Sequence, residues 1–220
     1  LTGLVTLIAV LGILPYISLQ LKAIANSFLI ITDSPSLSLS SAAAALPLWH
    51  DTAFYVALLL AAFTILFGTR HLDVSERHEG MVAAIAFESV VKLLAFMAVG
   101  AYVTFGLFDG PGDIFSRAVA KPELARLLTM EALPGGYSSW FSLTLISMSA
   151  VLFLPRQFQV AVVENVNDEH LRKASWLFPL YLLLINLFVL PIALGGLLLF
   201  DGSGVDPDTF VLSIPMAQHA

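Results

Sequence analysis

From Leu1 to about Ile31 the chain carries one charge, Lys22, and from Trp176 to Phe200 it carries none. An α-helix needs about 20 consecutive apolar residues to cross the hydrocarbon core of a bilayer. Lipid offers backbone amides no hydrogen-bond partners, so runs of this kind are expected to satisfy them internally, as helices. Three further apolar runs, 52–67, 81–108 and 140–154, are shorter or lightly charged. Together the five predict an all-α, polytopic membrane helix bundle that crosses the bilayer about five times. The 220 residues are 58% hydrophobic and 12% charged, against about a quarter charged in a soluble domain. With a mean hydropathy of +0.89, such a chain has too little polar surface to coat a water-soluble fold.

Several chemistries are excluded at the same level. The chain has no cysteine, which removes disulfides, thiolate metal sites and cysteine nucleophiles. His50, His71, His78, His170 and His219 show no metal-ligand spacing, and no phosphate-binding glycine loop or serine elbow is present. No enzyme active site or cofactor is expected within the segment. The net charge of −6 is scattered without a basic run, so nucleic acid is not an expected partner. The chain begins inside an apolar run without an initiator Met and ends in a polar stretch, with no cleavable signal pattern, so an internal fragment is expected.

Orientation follows from Lys and Arg near the runs. The second and fourth connections hold five, Arg70, Arg77, Arg156, Arg172 and Lys173, while the first, the third and the tail hold three, Arg117, Lys121 and Arg126. The bias places the second and fourth connections in the cytoplasm. Trp49 and Tyr55 suit an interfacial anchor for the second run, and Pro15 is expected to kink the first. The Lys121–Leu128 segment of the third connection has the pattern of a short amphipathic helix at the membrane surface.

Polar residues inside the runs mark candidate sites. Tyr16, Gln20 and Ser27 share one face of the first helix, which suits either a solute cavity or hydrogen bonding between helices. Lys22 projects from another face, to snorkel, to pair with an acid or to line a wet path. Glu88 and Lys92 stand four apart on one face of the third run, a pair that serves either packing or ion coupling. Trp140, Thr144 and Ser147 share a face of the fourth run, with Ser149 close by ahead of Pro155.

The order of these features resembles the sodium:solute symporter family over nearly the whole chain. Gly80, Ala83 and Glu88 stand where bacterial proline and sugar symporters carry Gly, Ala and an acidic residue, although Val91 replaces the usual Gln. PYISLQLKAIANSF resembles the family's fourth helix, and FLPRQFQVAVVENVNDEHLRKASW resembles its join between the seventh and eighth, with Val160 where an Arg is expected. LPRQFQV followed by VEN is most similar to the symporter-like domain fused to bacterial sensor histidine kinases.

The resemblance implies a fragment of a five-plus-five inverted-repeat transporter fold, spans four to eight of about thirteen, with Leu1 in the cytoplasm of the bacterial inner membrane. It implies a mid-membrane solute site to which Tyr16, Gln20, Ser147 and Ser149 contribute; the residues themselves, apart from the resemblance, offer Glu88, Lys92 and Lys22 as intramembrane charges for coupling. Met148 and Val151 fall where a sugar-contacting Asn and a gating Tyr are expected, which disfavours sugars and leaves amino acids. The family's sodium site uses helices outside this segment. The expected function is sodium- or proton-coupled symport of a small solute, as the input domain of a sensor histidine kinase whose cytoplasmic kinase module lies beyond Ala220. One alternative is a solute sensor that does not transport; another, suggested by Glu88 and Lys92, is a membrane subunit of a proton-pumping complex.

Overall fold

The structure is a computed structural model that describes residues 2–32, 49, 51–68, 79–154, 158, 162, 163, 165 and 167–218. Among these residues helices are the only regular secondary structure, without a strand. The α-helices are α1 (Thr2–Thr32), α2 (Thr52–Phe63), α3 (Glu79–Ala101), α4 (Pro111–Ala120), α5 (Pro122–Leu127), α6 (Gly136–Phe153), α7 (Asp168–Leu187), α8 (Val189–Leu199) and α9 (Phe210–Ala217). Three stretches are long and apolar enough to cross a membrane: Gly3–Thr32, Val82–Leu107 and Asp168–Leu199. Thr52–Leu66 is a shorter apolar helix, and α6 has 18 residues and no charge. The chain is a membrane helical protein whose apolar helices face lipid.

The chain divides into two compact units, Leu1–Leu72 with Phe200–Ala220, and Asp73–Leu199. In the first unit α1 runs without interruption through Pro15. It contacts α2 and α9. Asp51 caps α2, its carboxylate accepting from the Ala53 amide at 2.8 Å, and Tyr55 donates to the Trp49 carbonyl at 2.9 Å. Burial concentrates at Ala25 and Ile30 of α1 and at Thr209, Phe210, Ser213 and Ile214 in and beside α9.

The second unit is packed at one end only. Its buried residues are Gly100, Val103, Thr104, Phe108 and Gly110 beyond the middle of α3, Ile114, Ala118 and Leu124 on α4 and α5, and Pro191, Ile192, Leu194, Gly195 and Gly196 on α8. None of the residues from Val82 to Val99, none of α7 and none from Gly136 to Ala150 is buried. The packed end depends on close approach. A Cβ on Gly100 would collide with the Phe188 ring, and one on Gly195 would lie 2.8 Å from Val103 Cγ1 and 3.3 Å from the Phe108 ring. At those two positions glycine lets α3 and the α7–α8 pair touch.

Three features depart from the expected outline, each for a local reason. The last apolar run is helical from Asp168, well ahead of Trp176, because the Asn167 side chain caps the Glu169 amide at 3.0 Å and Asp168 and Glu169 sit favourably in the first turn. That run is also interrupted: Phe188 leaves helical geometry (φ −104°, ψ 0°). Pro191 has no amide to give the Leu187 carbonyl and its ring presses on it, so one helix ends there. The chain restarts at Val189, which puts Pro191 in a first turn where no intrahelical bond is lost.

The third departure is α4, which occupies a stretch expected to be a loop. Pro111 opens the helix, and Asp113 and Arg117 form an i,i+4 pair along it.

Candidate functional site

The strongest intramembrane feature is on α3. Lys92 Nζ lies 2.6 Å from Glu88 Oε1, and these are the only charges between Val82 and Leu107. At 1.5 Å per residue the 26-residue span is about 39 Å long, against about 30 Å of hydrocarbon. Glu88 is then about 9 Å and Lys92 about 15 Å from Val82. Even with all the excess length on the Val82 side, the Lys92 backbone sits about 6 Å inside the hydrocarbon. A charge there is costly, and Lys92 offsets the cost by pairing with Glu88, its stem long enough to reach toward the Val82-side interface. Both side chains project from the surface of the unit, more than half exposed.

Lys22 is placed differently. Gly3–Thr32 is 30 residues long, about 45 Å, with Lys22 about 15 Å from its Thr32 end. An overhang of that size at the Thr32 end brings the exposed Lys22 to the interface, where its ammonium reaches water.

Tyr16 and Gln20 are both exposed on α1, on the face their spacing gives them. Ser27, on the same face, donates its hydroxyl to the Ala23 carbonyl at 2.8 Å, so its proton is spent within its own helix. Ser18 does the same with Leu14 at 2.9 Å, as does Thr144 with Trp140 on α6 at 2.9 Å. Ser147 is exposed and Ser149 half-buried on α6. Tyr16, Gln20 and Lys22 belong to the first unit, and Glu88, Lys92, Ser147 and Ser149 to the second. Within the second unit the ion pair is on α3 and the serines are on α6. Among the candidates, Glu88 and Lys92 are joined directly, by their ion pair. Pro155 and Val160 lie outside the described residues, as do His50, His71, His78 and His219. His170 sits in the first turn of α7.

Two polar clusters escaped the sequence reading. At the foot of α4, Arg117 Nε donates to Asp113 Oδ1 at 2.7 Å while the Asp109 amide donates to Asp113 Oδ2 at 3.3 Å. The Arg117 guanidinium also lies 5.4 Å from the centre of the buried Phe108 ring. Its hydrogen bond holds the Asp113 carboxyl below its ordinary value, with the Asp109 amide adding to the effect against some desolvation, and Asp113 raises Arg117 in return. The i,i+4 spacing of Asp113 and Arg117 after Gly110-Pro111 is the signal that would have found this helix.

The second cluster is Thr209 and Ser213, whose buried hydroxyls are 3.1 Å apart. Thr209 donates to the Asp206 carbonyl at 2.7 Å, so Ser213 is the donor between the two. The cluster satisfies itself, and it fastens the start of α9.

Helical irregularities accompany these features. α3 runs on into a π-helical turn, Tyr102–Leu107, and α2 into another, Thr64–Gly68. The Thr104 hydroxyl donates to the Gly100 carbonyl at 2.7 Å and its own carbonyl accepts the Gly110 amide at 2.9 Å, which closes the wider turn. Compared with known proteins, the chain matches no family model, no curated protein and no solved structure.

Proposed function

We propose that the chain is part of a secondary-transport domain of the bacterial inner membrane, with a small solute of the amino-acid class as cargo and sodium or protons as the coupling ion. In this reading it is the membrane input of a sensor histidine kinase. The observation that carries the transport reading is the Glu88–Lys92 ion pair at 2.6 Å in a span otherwise free of charge. Such a pair suits a gate or coupling element, because protonating Glu88 or attracting a cation to it changes the partner that Lys92 needs. Tyr16 and Gln20 on α1 and Ser147 and Ser149 on α6 are the side chains proposed to meet the solute. The resemblance of LPRQFQV and VEN to kinase-fused symporter domains favours a second reading, in which solute binding shifts a conformational equilibrium without transport.

Uptake decides between them. The protein, with whatever sequence flanks this chain in its reading frame, is reconstituted in proteoliposomes and offered radiolabelled amino acids under an inward sodium gradient or a pH gradient. Accumulation that needs a gradient and falls in Glu88→Gln is the expected result. Binding in equilibrium dialysis without uptake selects the sensor, and neither binding nor uptake overturns both readings.

A further inference from the structure

Residues 108–135, between the Val82–Leu107 span and α6, form more than a connection. Helix α4 turns Ile114 and Ala118, both 0% exposed, onto α8 and the π-helical turn, and α5 turns Leu124 inward. The apolar pattern does not stop where the protein beneath it stops. Val119, Leu127, Leu128 and Met130 are exposed, and Leu124, Leu127 and Leu128 belong to one stripe at i, i+3 and i+4. Its inner member is covered and its outer edge is open. Arg126 occupies the other side of α5, and Glu123 flanks the stripe one turn before Leu127.

What covers the open edge is indicated by what bounds the segment. It starts at Phe108, directly after a membrane-length span, and ends at Gly136, where a charge-free helix begins with exposed Tyr137 and Trp140 in its first turns. Tyr and Trp favour the headgroup level of a bilayer. A segment tied at both ends to apolar helices, one of them opened by such aromatics, lies at that level.

We infer that α4–α5 and the turn after it form a two-faced interfacial strap, with Ile114, Ala118 and Leu124 on the protein and Leu127, Leu128 and Met130 in the headgroup–acyl boundary of the bilayer. This depth holds the packed end of the second unit at a fixed level in the membrane, with Arg126 on the water side. The inference rests on the membrane assignment and is independent of transport, so its failure leaves the proposed function untouched.

The absence of cysteine allows a direct test. Single-cysteine variants Leu127→Cys, Met130→Cys and Arg126→Cys are labelled with an environment-sensitive fluorophore in liposomes of phosphatidylcholine and phosphatidylglycerol. The expected result is blue-shifted emission at 127 and 130, quenched severalfold more by shallow doxyl-labelled lipid than at 126, with the order reversed for aqueous iodide. Iodide quenching at 127 and 130 equal to that at 126 overturns the inference. Blue-shifted emission that doxyl lipid does not quench also overturns it, because protein then covers the strip, from a second copy or from another segment. Two reporting positions keep the test decisive if one variant fails to fold.

Discussion

The two ends of the Val82–Leu107 span belong to different kinds of protein. Beyond Gly100 the helix is packed as a soluble core is packed, with Val103 and Thr104 at 0% exposure under α4 and α8. Before Gly100 it is bare, and Val90 and Leu94 stand exposed along a surface that only lipid or further helices can cover. The boundary coincides with the α-to-π change at Tyr102 and with the break at Phe188, whose ring is seated against Gly100. One end of the unit is therefore held by contacts within this segment. The other is held by its surroundings, and each substitution below tests that division.

The largest effect belongs to the centre of the packed end. Ile114→Ala removes three carbons from a fully buried site and is expected to cost about 2–5 kcal/mol, as large-to-small core changes do. Leu94→Ala, on the bare half, is expected to cost less than about 1 kcal/mol in detergent, since no protein atoms close around it. Thermal unfolding of both variants in the same detergent checks the contrast. Equal losses would mean that the bare half is covered after all.

Next in size is the close approach at Gly195. Gly195→Ala puts a methyl 2.8 Å from Val103 Cγ1, too near to stand without a shift, and overpacking of this kind costs about 1–3 kcal/mol. Val103→Ala in the same chain is expected to recover part of the loss. A double-mutant cycle measures that recovery, and strict additivity would show that the two residues do not touch.

The third test compares two ion pairs of the same spacing, Lys92–Glu88 at 2.6 Å inside a span and Lys173–Glu169 at 3.3 Å near the start of α7. Glu169→Gln is expected to cost no more than about 0.5 kcal/mol, the value of an exposed i,i+4 pair. Glu88→Gln leaves Lys92 without its partner in hydrocarbon, and the expected loss is about 0.6–1.7 kcal/mol in bilayer nanodiscs, the range seen for polar contacts between membrane helices. Unfolding in nanodiscs against detergent separates them, because only the Glu88 effect should shrink when water reaches the pair.

What could be foreseen from the residues follows the same division. Bare stretches declare themselves, because a lipid-facing surface is apolar and needs no partner to be recognised; residues 82–99 and 3–24 are of this kind. The Glu88–Lys92 bond is equally local, fixed by a spacing of four. The packed end was hidden because it is made of contacts between distant positions: Gly195 with Val103, Phe188 with Gly100. Nothing in the neighbourhood of Gly195 names its partner. Helix α4 was missed because ten residues with mixed polarity look like a connection until α8 supplies the surface they cover. The Phe188 break had a visible cause in Pro191, but Pro179 lies inside α7 without ending it, so the proline alone did not decide. As for the candidate site, the periodicity of α1 places Tyr16 and Gln20 on one face, yet no periodicity says which helix that face meets.

The smallest effect is the pH dependence of the strap that closes the packed end. Asp113 is held below its ordinary value by the Arg117 hydrogen bond, so its charged form is favoured in the folded state. A carboxylate lowered on folding adds stability that is complete above its unfolded value, about 3.9 for Asp, and that is lost as pH falls through the lower folded value. Stability is therefore expected to be level with respect to this group near neutral pH and to decline below about pH 4. Asp113→Asn should abolish that component while leaving the rest of the acid profile intact. Because the carboxylate is reached by water, the component is small, and hydrogen exchange at the Asp109 amide is a sharper reporter than global unfolding. That amide should exchange faster as pH drops below the Asp113 transition, after correction for the intrinsic rate, and should lose the dependence in the variant. An Asp109 amide that exchanges alike in both proteins would detach Asp113 from the turn and leave the packing of Ile114 and Ala118 and the Arg117–Phe108 contact to hold α4 to the end of the span.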